Sequence, residues 1–416
     1  MNNKIFYTIV SFVLLLSCEN IQQSSEINYV ILGFGKEGCN KDIFTDIDIV
    51  PLEYSENSAL SAIKQIAVVD STIIIRDGQS GVLCFNMEGK YLHRLSHKGR
   101  AKNEYIRLNT FVVNNQNEVL LFDSFSNKII YYNINGSYIK TERLPQGILS
   151  ETNMCAITEN GDILQNSNII NDKSDIYSLI CTDQNSYSKD IIHTSPLRTK
   201  DVSMPIGEFP ISKTTEGIKL LLPMSNVVYE FTGNNKITPS FTIATEARIA
   251  NEGVLSQQND FSIFSILDLK ERGYFSGFSS IFENDKYMLL KSYGKDYFLI
   301  HKNMKKGVML SSEYDEAIAN IPLYGVKCAT DFGFIGVISI DEISELKESI
   351  NKDNQLLNVI NTINTSSIED NPVLCIYKLD DKAIERDKNV NNVTYEKIYF
   401  LCSCDACCVS RRSRRC

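Results

Sequence analysis

The chain has 416 residues, of which 43% are hydrophobic and 22% charged, the make-up of a folded protein and not of a disordered one. Its 21 glycines and 9 prolines exclude collagen-like and proline-rich chains. A net charge of −9, from 42 Lys and Arg against 51 Asp and Glu, argues against a nucleic-acid partner, which needs a basic surface.

The first element is an address. Lys4 supplies a positive start, and Ile5 to Leu16 is apolar apart from Thr8 and Ser11. That run is too short to span a bilayer, which takes about 20 residues, but it suits the apolar region of a signal peptide. It ends in Leu15-Leu16-Ser17-Cys18, which resembles the bacterial lipobox. The resemblance implies that residues 1–17 are removed and that Cys18 is acylated as the new N-terminus. An ordinary secretory signal with a chance cysteine is the alternative. Each buried CH₂ of an acyl chain adds about 0.8 kcal/mol, so several chains on one cysteine anchor stably. The expected partner is thus a membrane, reached through the lipid anchor, and the expected location is the cell envelope, in either leaflet of the outer membrane. No later run reaches 18 apolar residues. Residues 18–41, which open with the polar stretch Cys18 to Glu26, read as a lipidated tether.

From Ile43 the chain changes to short β-branched and aromatic runs between Asn, Asp, Gly and Ser clusters, a strand-and-turn pattern. Ile75-Arg76-Asp77 aligns with Leu121-Phe122-Asp123, 46 residues on. Phe85 to Lys90 aligns with Tyr132 to Ser137, 47 residues on. This period is that of propeller blades, about 40–50 residues. The Asp is expected to bind turn amides, and Gly89 and Gly136 to supply a positive φ. Degenerate units follow around Ile163 and Ile176, Lys219 and Asn226, Tyr287 and Tyr297, and Gly333 and Val373. Dividing residues 42–379 by the period gives near seven units, and insertions bring the expectation to six. From Asp341 to Ile363 the apolar spacing turns helical, with Asp341 as a possible cap. The fold class read from the sequence is all-β, a six-bladed β-propeller with a short helical insertion near the C-terminus.

Three stretches carry a resemblance to the six-bladed β-propeller lipoproteins of Gram-negative bacteria, with an NHL-like repeat over Gly99 to Tyr138. Asp46 to Glu53 resembles that family's opening strand, and Asp370 to Leu379 its closing strand. Gly99-Arg100-Ala101-Lys102-Asn103-Glu104-Tyr105 resembles its loop between the first two blades, with Ala101, Lys102 and Asn103 where the family has Gly, Pro and Gly. Gly99, Glu104 and Tyr105 are therefore the candidate family-loop residues. The resemblance implies a fold and an anchor and no established reaction. Opening and closing strands are expected to pair in one blade, because an unclosed ring exposes strand edges.

Motifs for chemistry are sparse. The four histidines, His93, His97, His193 and His301, are scattered, and no metal or cofactor is expected. No phosphate-loop, HExxH, GxSxG or EF-hand motif occurs, so no catalytic residue is nominated. Trp is absent, which tilts against a dedicated sugar platform. Cys39, Cys84, Cys155, Cys181, Cys328 and Cys375 read as small buried hydrophobes. Residues 380–416 form an extension that is Cys- and Arg-rich from Cys402. Its Cys404-x-x-Cys407 has the spacing of half a zinc site without the other half, so the tail reads as dispensable. The expected role is a lipid-anchored module that binds an envelope protein or a glycan on a face or mouth of the central channel. An envelope lyase or hydrolase acting on glycan or peptide is the alternative. Converging acids, histidines or arginines at the mouth would favour the enzyme, and an apolar face the binder.

Overall fold

The computed structural model describes residues 28–38, 43–149, 152–171, 174–196, 198–199, 202–203, 207–244, 247–250, 254, 263–294, 296–303, 306–310, 323, 325–349 and 371–379. Cys18, Cys39, the end of the expected helix and the 380–416 extension lie outside them.

Six four-stranded blades follow in chain order, each built of antiparallel strands a to d from the axis outward. Blade I runs from Ile63–Val69 to Tyr91–Arg94, and blade II from Leu108–Val113 to Tyr138–Arg143. Blade III runs from Thr152–Ile157 to Lys189–Pro196, and blade IV from Ile211–Thr214 to Lys236–Ala244. Blade V runs from Phe278–Glu283 to Lys306–Leu310. Blade VI takes Cys328–Thr330, Gly333–Ile338 and Val373–Leu379, and its outermost strand is Phe44–Pro51 from the start of the chain. The pairing expected between opening and closing strands is present, from Phe44 opposite Leu379 to Pro51 opposite Val373. Each gap between neighbouring blades holds its own apolar cluster, because strand residues alternate between the two faces of a blade. Ring closure therefore buries two faces of every blade at once.

Asn28–Gly38, inside the 18–41 segment read as tether, is a strand. It lies parallel to the d strands of blades IV and V and joins them into one nine-stranded sheet. The apolar run Tyr29-Val30-Ile31-Leu32, shortly after the polar stretch, carries the strand signal.

The repeat residues act as their spacing implies. Asp77 closes strand b of blade I. Its Oδ1 accepts from the amides of Ser61 (2.8 Å) and Ala62 (2.7 Å), and its Oδ2 from those of Gln79 (2.8 Å) and Ser80 (2.7 Å) and from Ser61 Oγ (2.9 Å). Burial pushes this carboxyl up, and these hydrogen bonds more than offset it, holding its pKa below the ordinary value. In blade II the Asp123 carboxylate likewise accepts from the amides of Ile106, Arg107, Phe125 and Ser126. In blade V Ser292 stands at that place and accepts from the Asp296 amide at 3.0 Å. The repeat is degenerate in letters and retained in geometry. Gly89 has φ +82° in the c–d turn of blade I, and a Cβ there would lie 2.1 Å from Pro51 O.

The helical insertion is Ile340–Ser349 among the described residues. Its cap is Ser339 and not Asp341. The Glu342 amide donates to Ser339 Oγ at 3.2 Å, and the Ser339 amide donates to Glu342 Oε2 at 2.7 Å. This capping box needs Glu at the third helical position, which Ser339-Ile340-Asp341-Glu342 supplies. A second helix, Ile263–Glu271, packs in the connection between blades IV and V.

Candidate functional site

An open cavity of about 1020 Å³ runs along the ring axis. Its wall includes Gln65, Phe111, Met154, Ile211, Glu283 and Ala329, one from the a strand of each blade. The six a–b turns form its wide mouth and contribute Asp70, Asn115, Glu159, Glu216, Asp285 and Asp331, all exposed. Five blades thus place a carboxylate on the rim, and blade II an amide.

Local turn chemistry explains the placement. Asn114 Oδ1 accepts from the amides of Gln116 (3.0 Å) and Glu118 (2.9 Å). Thr158 Oγ1 accepts from Asp162 N at 3.0 Å, and Asn284 Oδ1 from Lys286 N (3.1 Å) and Tyr287 N (2.8 Å). These residues hold the turns. The next residue in each turn, Asn115, Glu159 or Asp285, is left facing solvent. Among the described residues Lys213 is the one cation lining this cavity. Its Nζ reaches from blade IV to Asn115 Oδ1 of blade II at 3.2 Å. Burial lowers the Lys213 pKa, and the nearby Glu159 opposes that shift.

Beside the mouth, between blades IV and V, lies a buried ion cluster. The Glu283 carboxyl is fully buried, with Lys302 Nζ at 2.9 Å and Lys219 Nζ at 3.8 Å from Oε1. These are ion-pair distances without hydrogen-bond geometry, and Oε2 has no hydrogen-bond partner. Lys302 also stands 2.5 Å from Glu216 Oε2 and donates to Asn284 O at 3.0 Å. Burial raises the Glu283 pKa against the pull of Lys219 and Lys302. Burial would lower the Lys302 pKa, but Glu216 and Glu283 outweigh it and hold the ammonium charged.

At the other end a cavity of about 270 Å³ shares Gln65 and Met154 with the first and adds Lys64, Arg76, Thr110, Glu208 and Phe209. Gln65 clasps blades I and II there. Its Nε2 donates to Phe111 O at 2.8 Å, and its Oε1 accepts from Thr110 Oγ1 (3.0 Å) and Phe111 N (3.2 Å). Glu208 is engaged by Lys327 and by Lys291 at 3.9 Å. The channel therefore changes sign along its axis, acidic at the wide mouth and basic at the narrow end.

The residues singled out in the sequence fall elsewhere. In the Gly99–Tyr105 loop, Gly99 N donates to Tyr105 O at 2.8 Å, and Ala101 N to Glu104 Oε2 at 2.8 Å. Tyr105 is buried between blades I and II, and Gly81 (φ +88°) leaves room for its hydroxyl. Lys128 Nζ donates to Glu104 O and, at 3.3 Å, to Ala101 O. None of the three lines either cavity; the loop fastens two blades. No histidine lines them either: His93 contacts Ile134 O at 3.1 Å, and His301 packs edge-on against Tyr287. The five described cysteines are free and buried, and desolvation pushes the Cys84 thiol up to about 12. The rim carboxylates were missed because each looks like an ordinary turn residue. Aligning the six first hairpins would have shown the recurrence.

Fold and channel together define a six-bladed β-propeller with an open axial cavity. The chain belongs to the family of unknown function DUF4934, whose profile matches residues 33–378. A crystal structure of a Bacteroides fragilis NCTC 9343 protein, described as a candidate exported protein, is similar over 85% of this chain and 100% of its own, with 19% identity and a TM-score of 0.61. A member of the duf4221 family from Bacteroides vulgatus is similar over 81% of this chain and 97% of its own, with 9% identity and a TM-score of 0.48. An inactive virginiamycin B lyase variant from Staphylococcus aureus reaches a TM-score of 0.38 at 15% identity, over 70% of this chain and 80% of its own. Among curated proteins no relative matches the sequence.

Proposed function

We propose that this protein is a binding module of the cell envelope, anchored through acylated Cys18, that receives its ligand in the wide mouth of the axial channel. The supporting observation is the mouth itself: a wall drawn from all six blades and carboxylates from five of them. A concave site whose lining is predominantly of one sign concentrates counter-charged ligands. The ligand class is an amine-bearing peptide or glycan. Lys213 already sets an ammonium within this mouth, beside Asn115 and Glu159.

Calorimetric titration with tri-lysine tests this reading. Saturable binding is expected, weakened about tenfold or more in Asp70→Asn/Asp285→Asn/Asp331→Asn and by added salt. Equal affinity in the two proteins would sink it. For the anchor, Cys18→Ala should move the protein out of the membrane fraction and abolish labelling by a palmitate analogue.

Converging carboxylates also favour a second reading, an envelope lyase or hydrolase, since paired acids at different protonation serve as acid and base. Incubation with envelope glycan and peptide fractions separates the two. New products by mass spectrometry, lost in the same triple variant, establish the enzyme; tri-lysine binding without products establishes the binder.

A further inference from the structure

We propose that the narrow, basic end of the channel is an oxyanion subsite built on Arg76, which takes a carboxylate or phosphate group. Arg76 sits on strand b of blade I, opposite Gln65, and lines the 270 Å³ cavity. Its Nε is buried without a hydrogen-bond partner. Among the described residues nothing hydrogen-bonds to the rest of the guanidinium. The neighbouring Asp77 supplies no hydrogen-bond acceptor, because its two oxygens already accept five bonds from Ser61, Ala62, Gln79 and Ser80. Across the cavity, Glu208 is held by Lys327 and Lys291. Arg76 is half-buried, and its buried Nε–H without an acceptor costs stability, while the two Nη groups face the cavity, where an acceptor can reach them. Burial lowers its pKa to about 10, with Asp77 opposing, so it stays charged at neutral pH. Its planar fork matches the two oxygens of a carboxylate or phosphate. The exposed Lys64 at the rim adds a second positive charge. This inference does not require that the wide mouth bind amines.

The test is calorimetric titration of the purified protein with inorganic phosphate and, separately, acetate, at ionic strength held constant with chloride. The probe that saturates at the lower concentration identifies the group. Arg76→Met should weaken that binding about tenfold or more, since charge-assisted bidentate bonds are lost, and Lys64→Met should weaken it less. Without anion, Arg76→Met should be at least as stable as wild type, because a half-buried side chain with an unsatisfied Nε–H is replaced by an apolar one of similar length. Failure of both anions to saturate the wild type overturns the proposal, as does an unchanged affinity in Arg76→Met. Should Arg76→Met not fold, the exposed Lys64→Met decides: unchanged affinity there overturns the placement, and weakened affinity supports it. Tri-lysine binding that survives while neither anion binds would remove this subsite and leave the wide-mouth reading standing.

Discussion

Asp77→Ala removes a carboxylate that accepts five hydrogen bonds at 2.7 to 2.9 Å and ties the entry of blade I to its b–c turn. A bond to a charged acceptor is worth about 1.5–3 kcal/mol. Ser61 and Gln79 are exposed, so their donors regain water and the loss is below the full sum. The expected cost is about 3 kcal/mol, read as a lower urea midpoint at unchanged slope. Asp77→Asn should cost nearly as much. Whichever way the amide turns, its NH₂ faces two backbone N–H groups that need an acceptor. The pH dependence has a fixed sign. The folded pKa is depressed, so the contribution is full above the unfolded value, about 4, and fades as pH falls through the folded value. The gap between wild type and Asp77→Ala therefore narrows in acid. If Asp77→Asn unfolds within about 0.5 kcal/mol of wild type, the carboxylate is not the organiser of the blade.

Lys302→Met leaves Glu283 buried with only Lys219, 3.8 Å away, and should cost about 3 kcal/mol in urea melts. Lys302 has a raised pKa, so its stabilisation is full below about 10.5 and is lost as pH rises through the folded value. Gly89→Ala meets both a positive φ and Pro51 O, a backbone atom that cannot step aside, and should lower stability by about 2 kcal/mol. Gly147→Ala, with φ +83° and nothing within 4 Å, should cost about 1 kcal/mol or less by the same melts. A chain ended at Ser366 loses Val373–Leu379, which has strands on both sides in blade VI, and should show no native cooperative transition. A native melting temperature there would remove the closure argument.

Much of the ring was legible because its signals are local. Asp77 and Asp123 recur at one spacing, and Gly89 and Gly136 both carry the positive φ their turns need. The closing strand could be paired with the opening one because a propeller has no other place for a spare edge. The strand Asn28–Gly38 was less legible, since its partners lie on blades IV and V, more than 200 residues away. The helix cap was misread because Asp341 and Ser339 are both capping types, and only the reach of Glu342 decides between them. The site was the least legible part. Asp70, Glu159, Asp285 and Asp331 come from different blades, and closure of the ring makes one mouth of them. Arg76 looks like any strand arginine until its buried, unpartnered Nε is seen.

Hydrogen exchange with and without saturating tri-lysine tests the wide-mouth reading most directly. The account predicts slowed exchange in peptides that cover the a–b turns at Asp70, Asn115, Glu159, Glu216, Asp285 and Asp331, with the d strands unchanged. Protection on the outer strands, or none at the turns while tri-lysine is bound, would contradict it.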